Sequence, residues 1–84
     1  MSTYIATFHT HLSAMISSRN LKECGIESRM MPVPREVSSS CGTCLRYVAS
    51  EPNMDAMDID VEKIFTLSDD GKYTLVRDFD DSAD

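Results

Sequence analysis

Apolar and polar positions follow a two-residue period in most of this chain and a helical period in one stretch. Thr3 to Phe8 reads Thr-Tyr-Ile-Ala-Thr-Phe. Its aromatic and β-branched residues predict a strand reaching about His9. A helix is predicted from about His11 to Glu23. Thr10 or Ser13 can cap its start, and Gly25, directly after Cys24, supplies a left-handed stop. At 100° per residue its apolar positions fall on two sides. Ala14, Leu21 and Cys24, with the small Ser17 and Ser18, form one stripe suited to close approach to a sheet; Leu12, Met15 and Ile16 form the opposite one.

Ile26 to Met31 predicts a second strand, which Pro32-Val33-Pro34 ends because proline donates no ladder hydrogen bond and restricts its predecessor. Residues 32–43 then read as a loop, long for so short a chain, and long loops in compact domains usually serve function or are disordered. Cys44 to Ala49 alternates as a third strand. Ser50 can cap a short helix over about Glu51 to Asp58, with Pro52 in its first turn. Ile59 to Leu67 predicts a fourth strand, Asp70-Gly71 a tight turn, and Tyr73 to Phe79 a returning fifth.

The order β-α-β-β-α-β plus one strand predicts an α+β fold. The simplest form is a ferredoxin-like βαββαβ sandwich, with two helices on one face of an antiparallel sheet and an extra C-terminal hairpin strand. That topology makes strands one and two parallel, with strand three antiparallel between them. Phe8, His9, Thr10 and His11 then share one edge with Arg35 and Cys41. Cys24 falls at the opposite edge, too distant for a disulfide to Cys41.

With 84 residues the chain has room for one domain, taken as residues 1–78, followed by an acidic, disordered tail at 79–84. So small a core is marginal, and a homodimer would be compatible with it. Charge is uneven: residues 1–50 carry net +2 and residues 51–84 net −8. An acidic chain gains nothing from phosphate attraction, which argues against nucleic-acid binding. No apolar run approaches the roughly 20 residues of a membrane span. Met1-Ser2-Thr3-Tyr4 lacks the pattern of a signal peptide, so a cytoplasmic setting is expected.

In a reducing compartment the odd set Cys24, Cys41 and Cys44 is no disulfide framework. Chemistry is therefore expected at Cys41, in Ser38-Ser39-Ser40-Cys41-Gly42-Thr43-Cys44. A thiol reacts as its thiolate, and positive charge or hydrogen-bond donors favour that form. Arg35, protonated His9 or His11, the helix N-terminus, and the hydroxyls and amides of Ser38, Ser39, Ser40 and Gly42 are the candidate stabilisers. Cys44 stands at the spacing from which a second thiol can attack the first. The competing view makes Cys44 a small hydrophobe opening strand three. A zinc site from Cys41, Cys44, His9 and His11 is a further alternative, although a second Cys-x-x-Cys is lacking. The six methionines read as core filler, and Asp58/Asp60 and Asp69/Asp70 as solvated edge and turn. No serine triad, phosphate-binding glycine loop or paired-carboxylate hydrolase motif is present.

The run Met31-Pro32-Val33-Pro34-Arg35-Glu36-Val37-Ser38-Ser39-Ser40-Cys41-Gly42-Thr43-Cys44-Leu45-Arg46 resembles the signature of the selenium/sulfur (Se/S) carrier protein-like family. Tyr4 to Thr10 and Leu21-Lys22-Glu23-Cys24-Gly25-Ile26 match its pattern as well. The resemblance covers about residues 3–50 well and the later hairpin loosely. It implies that Cys41 carries sulfur or selenium, as a persulfide or selenopersulfide, between a donor protein and an acceptor protein. That is the role of a carrier with no dissociable cofactor, not of a stand-alone enzyme. Many members have a small apolar residue where Cys44 stands, which leaves the second thiol's role open. The alternative is a non-catalytic binding or regulatory module in which Cys41 and Cys44 form a redox pair or a metal clip.

Overall fold

The computed structural model describes residues 1–80. Strand β1 spans Ser2–Phe8, helix α1 His11–Glu23, β2 Ser28–Pro32, β3 Thr43–Ala49, β4 Val61–Leu67 and β5 Tyr73–Asp78. Helix α1 keeps its predicted limits because both ends are capped by local chemistry. The Thr10 hydroxyl accepts from the Ser13 amide at 3.1 Å, and Gly25 takes φ of +82° while its amide bonds the Lys22 carbonyl at 2.9 Å.

The five strands form one sheet in the order β2-β3-β1-β4-β5, and every neighbouring pair is antiparallel. Strands β1 and β2 therefore run parallel with β3 between them, as the crossover through α1 requires. Side chains alternate across the sheet. Tyr4, Ala6 and Phe8 of β1, with Leu45 and Tyr47 of β3 and Ile64 of β4, build the core against Ala14 and Leu21 of α1. The predicted sheet-facing stripe is confirmed at Ala14, Ser17 and Leu21, which are buried with Ser13; Leu12, Met15 and Ile16 stay exposed. Cys24 leaves that stripe at the helix end and is exposed.

The expected second helix does not form. Only Met54–Ala56 makes a single 3-10 turn, so the fold is an α+β arrangement of one helix and five antiparallel strands, not a two-helix sandwich. Backbone groups of residues 52–58 are held by side chains from other elements. The Tyr47 hydroxyl donates to the Pro52 carbonyl, Asn20 Nδ2 to the Ala56 carbonyl at 3.0 Å, and the Asp58 amide to Ser17 Oγ at 2.8 Å. Asn53, with φ of 55°, adds a left-handed residue that a helix interior disfavours.

Two irregularities shape the end of the sheet near α1's N-terminus. Thr7 pairs with Lys63 and Phe8 with Val61, so Glu62 is the extra residue of a β-bulge on β4. Phe79 and Asp80, expected in the tail, are instead held by the sheet. The Phe79 amide bonds the Glu62 carbonyl at 2.8 Å, its ring packs on the core beneath Arg77, and Asp80 is held by His9. Residues 81–84 of that tail lie outside the described residues. Among the described residues, no helix is long and apolar enough to cross a membrane.

Candidate functional site around Cys41

Proline closes β2, and the chain then leaves the sheet through residues 33–42. A Val33 amide bond to the Gly42 carbonyl at 3.1 Å and a Val37 bond to Pro34 at 3.0 Å fold this loop on itself. Gly42 takes φ of +74°, a region that an L side chain adopts only under strain. The chain thereby turns from Cys41 back into β3.

The loop meets the end of β1 and the start of α1, as the topology predicts. Ser39 Oγ donates to the Phe8 carbonyl at 2.8 Å, Ser40 Oγ lies 3.3 Å from His9 Nδ1, and His11 Nδ1 lies 3.4 Å from Thr43 Oγ1. Arg35 is exposed on the loop and forms no ion pair among the described residues. Ser38 and Gly42 are exposed too.

Cys41 is partly buried and packs against the edge of the core. Its thiol donates to the Thr43 carbonyl at 3.5 Å and lies 3.9 Å from Ser39 Oγ. The expected cradle of serine donors is largely committed elsewhere. A hydroxyl has one proton, and that of Ser39 is directed at Phe8. Ser40 directs both donors at Glu62: its amide to Oε1 at 3.1 Å and its hydroxyl to Oε2 at 2.7 Å. These two serines brace the loop; they donate nothing to Cys41 in this geometry.

Cys44 has a different environment. It pairs with Thr7 on one side and Met31 on the other, on the sheet face away from α1, and its surface is fully buried. Its thiol donates to the Pro32 carbonyl at 3.8 Å. Burial, followed by the nearby Cys41 charge, pushes the Cys44 thiol up to about 11. A thiol so poised is protonated at neutral pH and does not serve as a ready resolving nucleophile. Nor is the cysteine-histidine zinc set assembled. Among the described residues, the one group of three or more metal-capable side chains in mutual reach is His9, Glu62 and Asp80.

Glu62 and Asp80 carry no obvious signal in the sequence. The Glu62 side chain is buried, and His9 bridges it to Asp80: Nδ1 lies 3.4 Å from Glu62 Oε2 and Nε2 lies 2.9 Å from Asp80 Oδ1. The hydrogen bond to Asp80 raises the His9 imidazole above its ordinary 6.5, partly opposed by desolvation and reinforced by the charges of Asp80, Glu62 and Asp60. The bulge accounts for the burial of Glu62, since the extra residue breaks the alternation that would otherwise place the side chain. Together, β1, β4 and the end of β5 thus grip the loop one residue before Cys41.

Residues 3–65 match the family model described as "Putative Se/S carrier protein-like". No curated protein and no solved structure matches the chain.

Proposed function

From the premise that the chain belongs to the Se/S carrier protein-like family, we propose that it carries a sulfur or selenium atom on Cys41 between a donor protein and an acceptor protein. The observation that carries this reading is the contrast between the two thiols of the loop. Cys41 is partly accessible on a braced loop; Cys44 is fully buried, with its thiol pushed up to about 11.

The transfer needs no redox partner. The Cys41 thiolate attacks the outer sulfur of a donor persulfide. The donor's S–S bond breaks, its inner sulfur leaves as a thiolate, and a new S–S bond forms on Cys41. A nucleophile on the acceptor repeats the step, taking the outer atom and releasing Cys41 as thiolate. Selenium follows the same path. Such a protein loads and unloads one atom and needs no deep substrate pocket, which makes it a carrier more than a stand-alone enzyme. The burial of Cys44 disfavours the alternative of a Cys41–Cys44 redox pair or metal clip. Forming that disulfide requires a protonated, enclosed thiol to react.

Incubating the fully reduced protein with a small-molecule persulfide donor, followed by intact mass measurement, tests the reading. In a Cys24→Ser background, which removes the exposed helix-end thiol, the protein gains one sulfur atom, and Cys24→Ser/Cys41→Ser gains none. An unmodified Cys24→Ser protein, or an adduct that survives in Cys24→Ser/Cys41→Ser, overturns it.

A further inference from the structure

The geometry points to a divalent-metal site of the zinc class formed by His9, Glu62 and Asp80, which ties the Cys41 loop to the sheet. The site is separate from the sulfur chemistry proposed above and uses no cysteine. One donor atom from each of the three residues lies within 4.8 Å of the other two. Glu62 Oε2 faces His9 Nδ1 at 3.4 Å, and Asp80 Oδ1 faces the other ring nitrogen, Nε2, at 2.9 Å, so an ion is ligated by one of these nitrogens and the opposite carboxylate moves to it. Two ligands bound at about 2.0–2.2 Å and at tetrahedral angles stand roughly 3.4 Å apart. The His9 Nδ1–Glu62 Oε2 separation matches that distance, and Asp80, exposed, supplies the third donor by rotating from Nε2 toward the ion.

The donor set is one imidazole and two carboxylates, a combination that zinc accepts, with a fourth position left to water. The site is also built from behind. Glu62 is buried in the β4 bulge and takes two hydrogen bonds from Ser40, at 3.1 Å to Oε1 and 2.7 Å to Oε2. Such outer partners fix a ligating carboxylate and tune metal affinity. The three ligands come from chain segments far apart in sequence: the residue after β1, the bulge of β4 and the residues after β5. A bound ion therefore cross-links both ends of the described chain, and through Ser40 it restrains the residue adjoining Cys41.

The test uses untagged, full-length, chelator-treated protein, titrated with Zn2+ by calorimetry and with Co2+ by absorption. We expect one ion per chain and a Co2+ spectrum without a thiolate charge-transfer band. Cys41→Ser binds as wild type does. Asp80→Asn and His9→Gln, both at exposed positions, lose at least about tenfold in affinity, and Ser40→Ala loses about tenfold through Glu62 alone. Circular dichroism of each variant establishes that it is folded. Absence of stoichiometric binding overturns the proposal. So does affinity unchanged in Asp80→Asn, or a thiolate band that disappears in Cys41→Ser.

Discussion

The contrast between the thiols makes a quantitative prediction for alkylation. The perturbation is a pulse of iodoacetamide on reduced, native protein at about pH 8, read site by site by peptide mass spectrometry. The shift of Cys44 from 9.0 to about 11 lowers its thiolate fraction by about a hundredfold. A more basic thiolate is intrinsically more nucleophilic, and a Brønsted slope of about 0.4–0.5 returns close to tenfold. Ionisation alone therefore leaves Cys44 slower by about tenfold. Enclosure has the larger effect. Cys44 lies on the sheet face away from α1 with no exposed surface, so it reacts only after the structure packed over that face lifts or the sheet opens. If that opening costs close to a small domain's global stability, about 5 kcal/mol, the population able to react falls by about three orders of magnitude or more. The opened thiol regains its ordinary acidity, so this factor replaces the tenfold one and does not multiply it. Cys24, exposed at the end of α1, is the internal reference. Cys24 labels within the pulse, Cys41 follows it, and Cys44 lags by about three orders of magnitude until denaturant equalises all three. Native labelling of Cys44 within a few-fold of Cys24 would refute both the burial and the argument that assigns carriage to Cys41.

Two further outcomes follow from the same geometry. Because the folded His9 pKa is raised, its ion pairs with Asp80 and Glu62 contribute fully below the unfolded value of 6.5 and are lost as pH rises through the folded value. In metal-free protein the destabilisation caused by Asp80→Asn is accordingly largest in mild acid and fades in mild base; a gap that stays constant from about pH 5 to 9 in urea melts contradicts this. At Gly42, φ is +74° and an added Cβ meets no atom within 4 Å, so Gly42→Ala carries a backbone cost without a clash. Its stability should fall by about 1 kcal/mol in chemical denaturation, and an unchanged or raised midpoint would remove the strain argument.

Much of the scaffold is legible in the residues because local chemistry governs it. The cap at Thr10 and the glycine after Cys24 bound α1, Pro32 closes β2, and Gly71 marks the last hairpin. Where partners distant in sequence decide, the reading fails. A helix over 51–58 is locally reasonable, but Tyr47, Asn20 and Ser17 capture its backbone groups, and Asn53 turns left-handed. The site shows the same division. The serine-rich run and Gly42 single out the loop and Cys41. The real employment of Ser39 and Ser40 depends on the Phe8 carbonyl and on Glu62, and a bulge cannot be read from the alternation it interrupts. Asp80 looks like tail because it lies among acidic residues, yet a histidine seventy-one positions earlier holds it. Cys44 has the spacing of a partner thiol, but strand parity turns it to the opposite sheet face.

Strand β1 starts at Ser2 and delivers His9 to the cysteine loop, while the chain after β5 brings Asp80 to the same spot. The two extremities of the described chain are therefore unequal places for an appendage. A fluorophore or purification handle joined at Met1 hangs a whole strand's length from the Cys41 loop, about 20 Å. A fusion made directly after Asp80 starts beside His9 and the Ser40 end of the Cys41 loop, where it would obstruct the donor and acceptor proteins of the proposed carrier role.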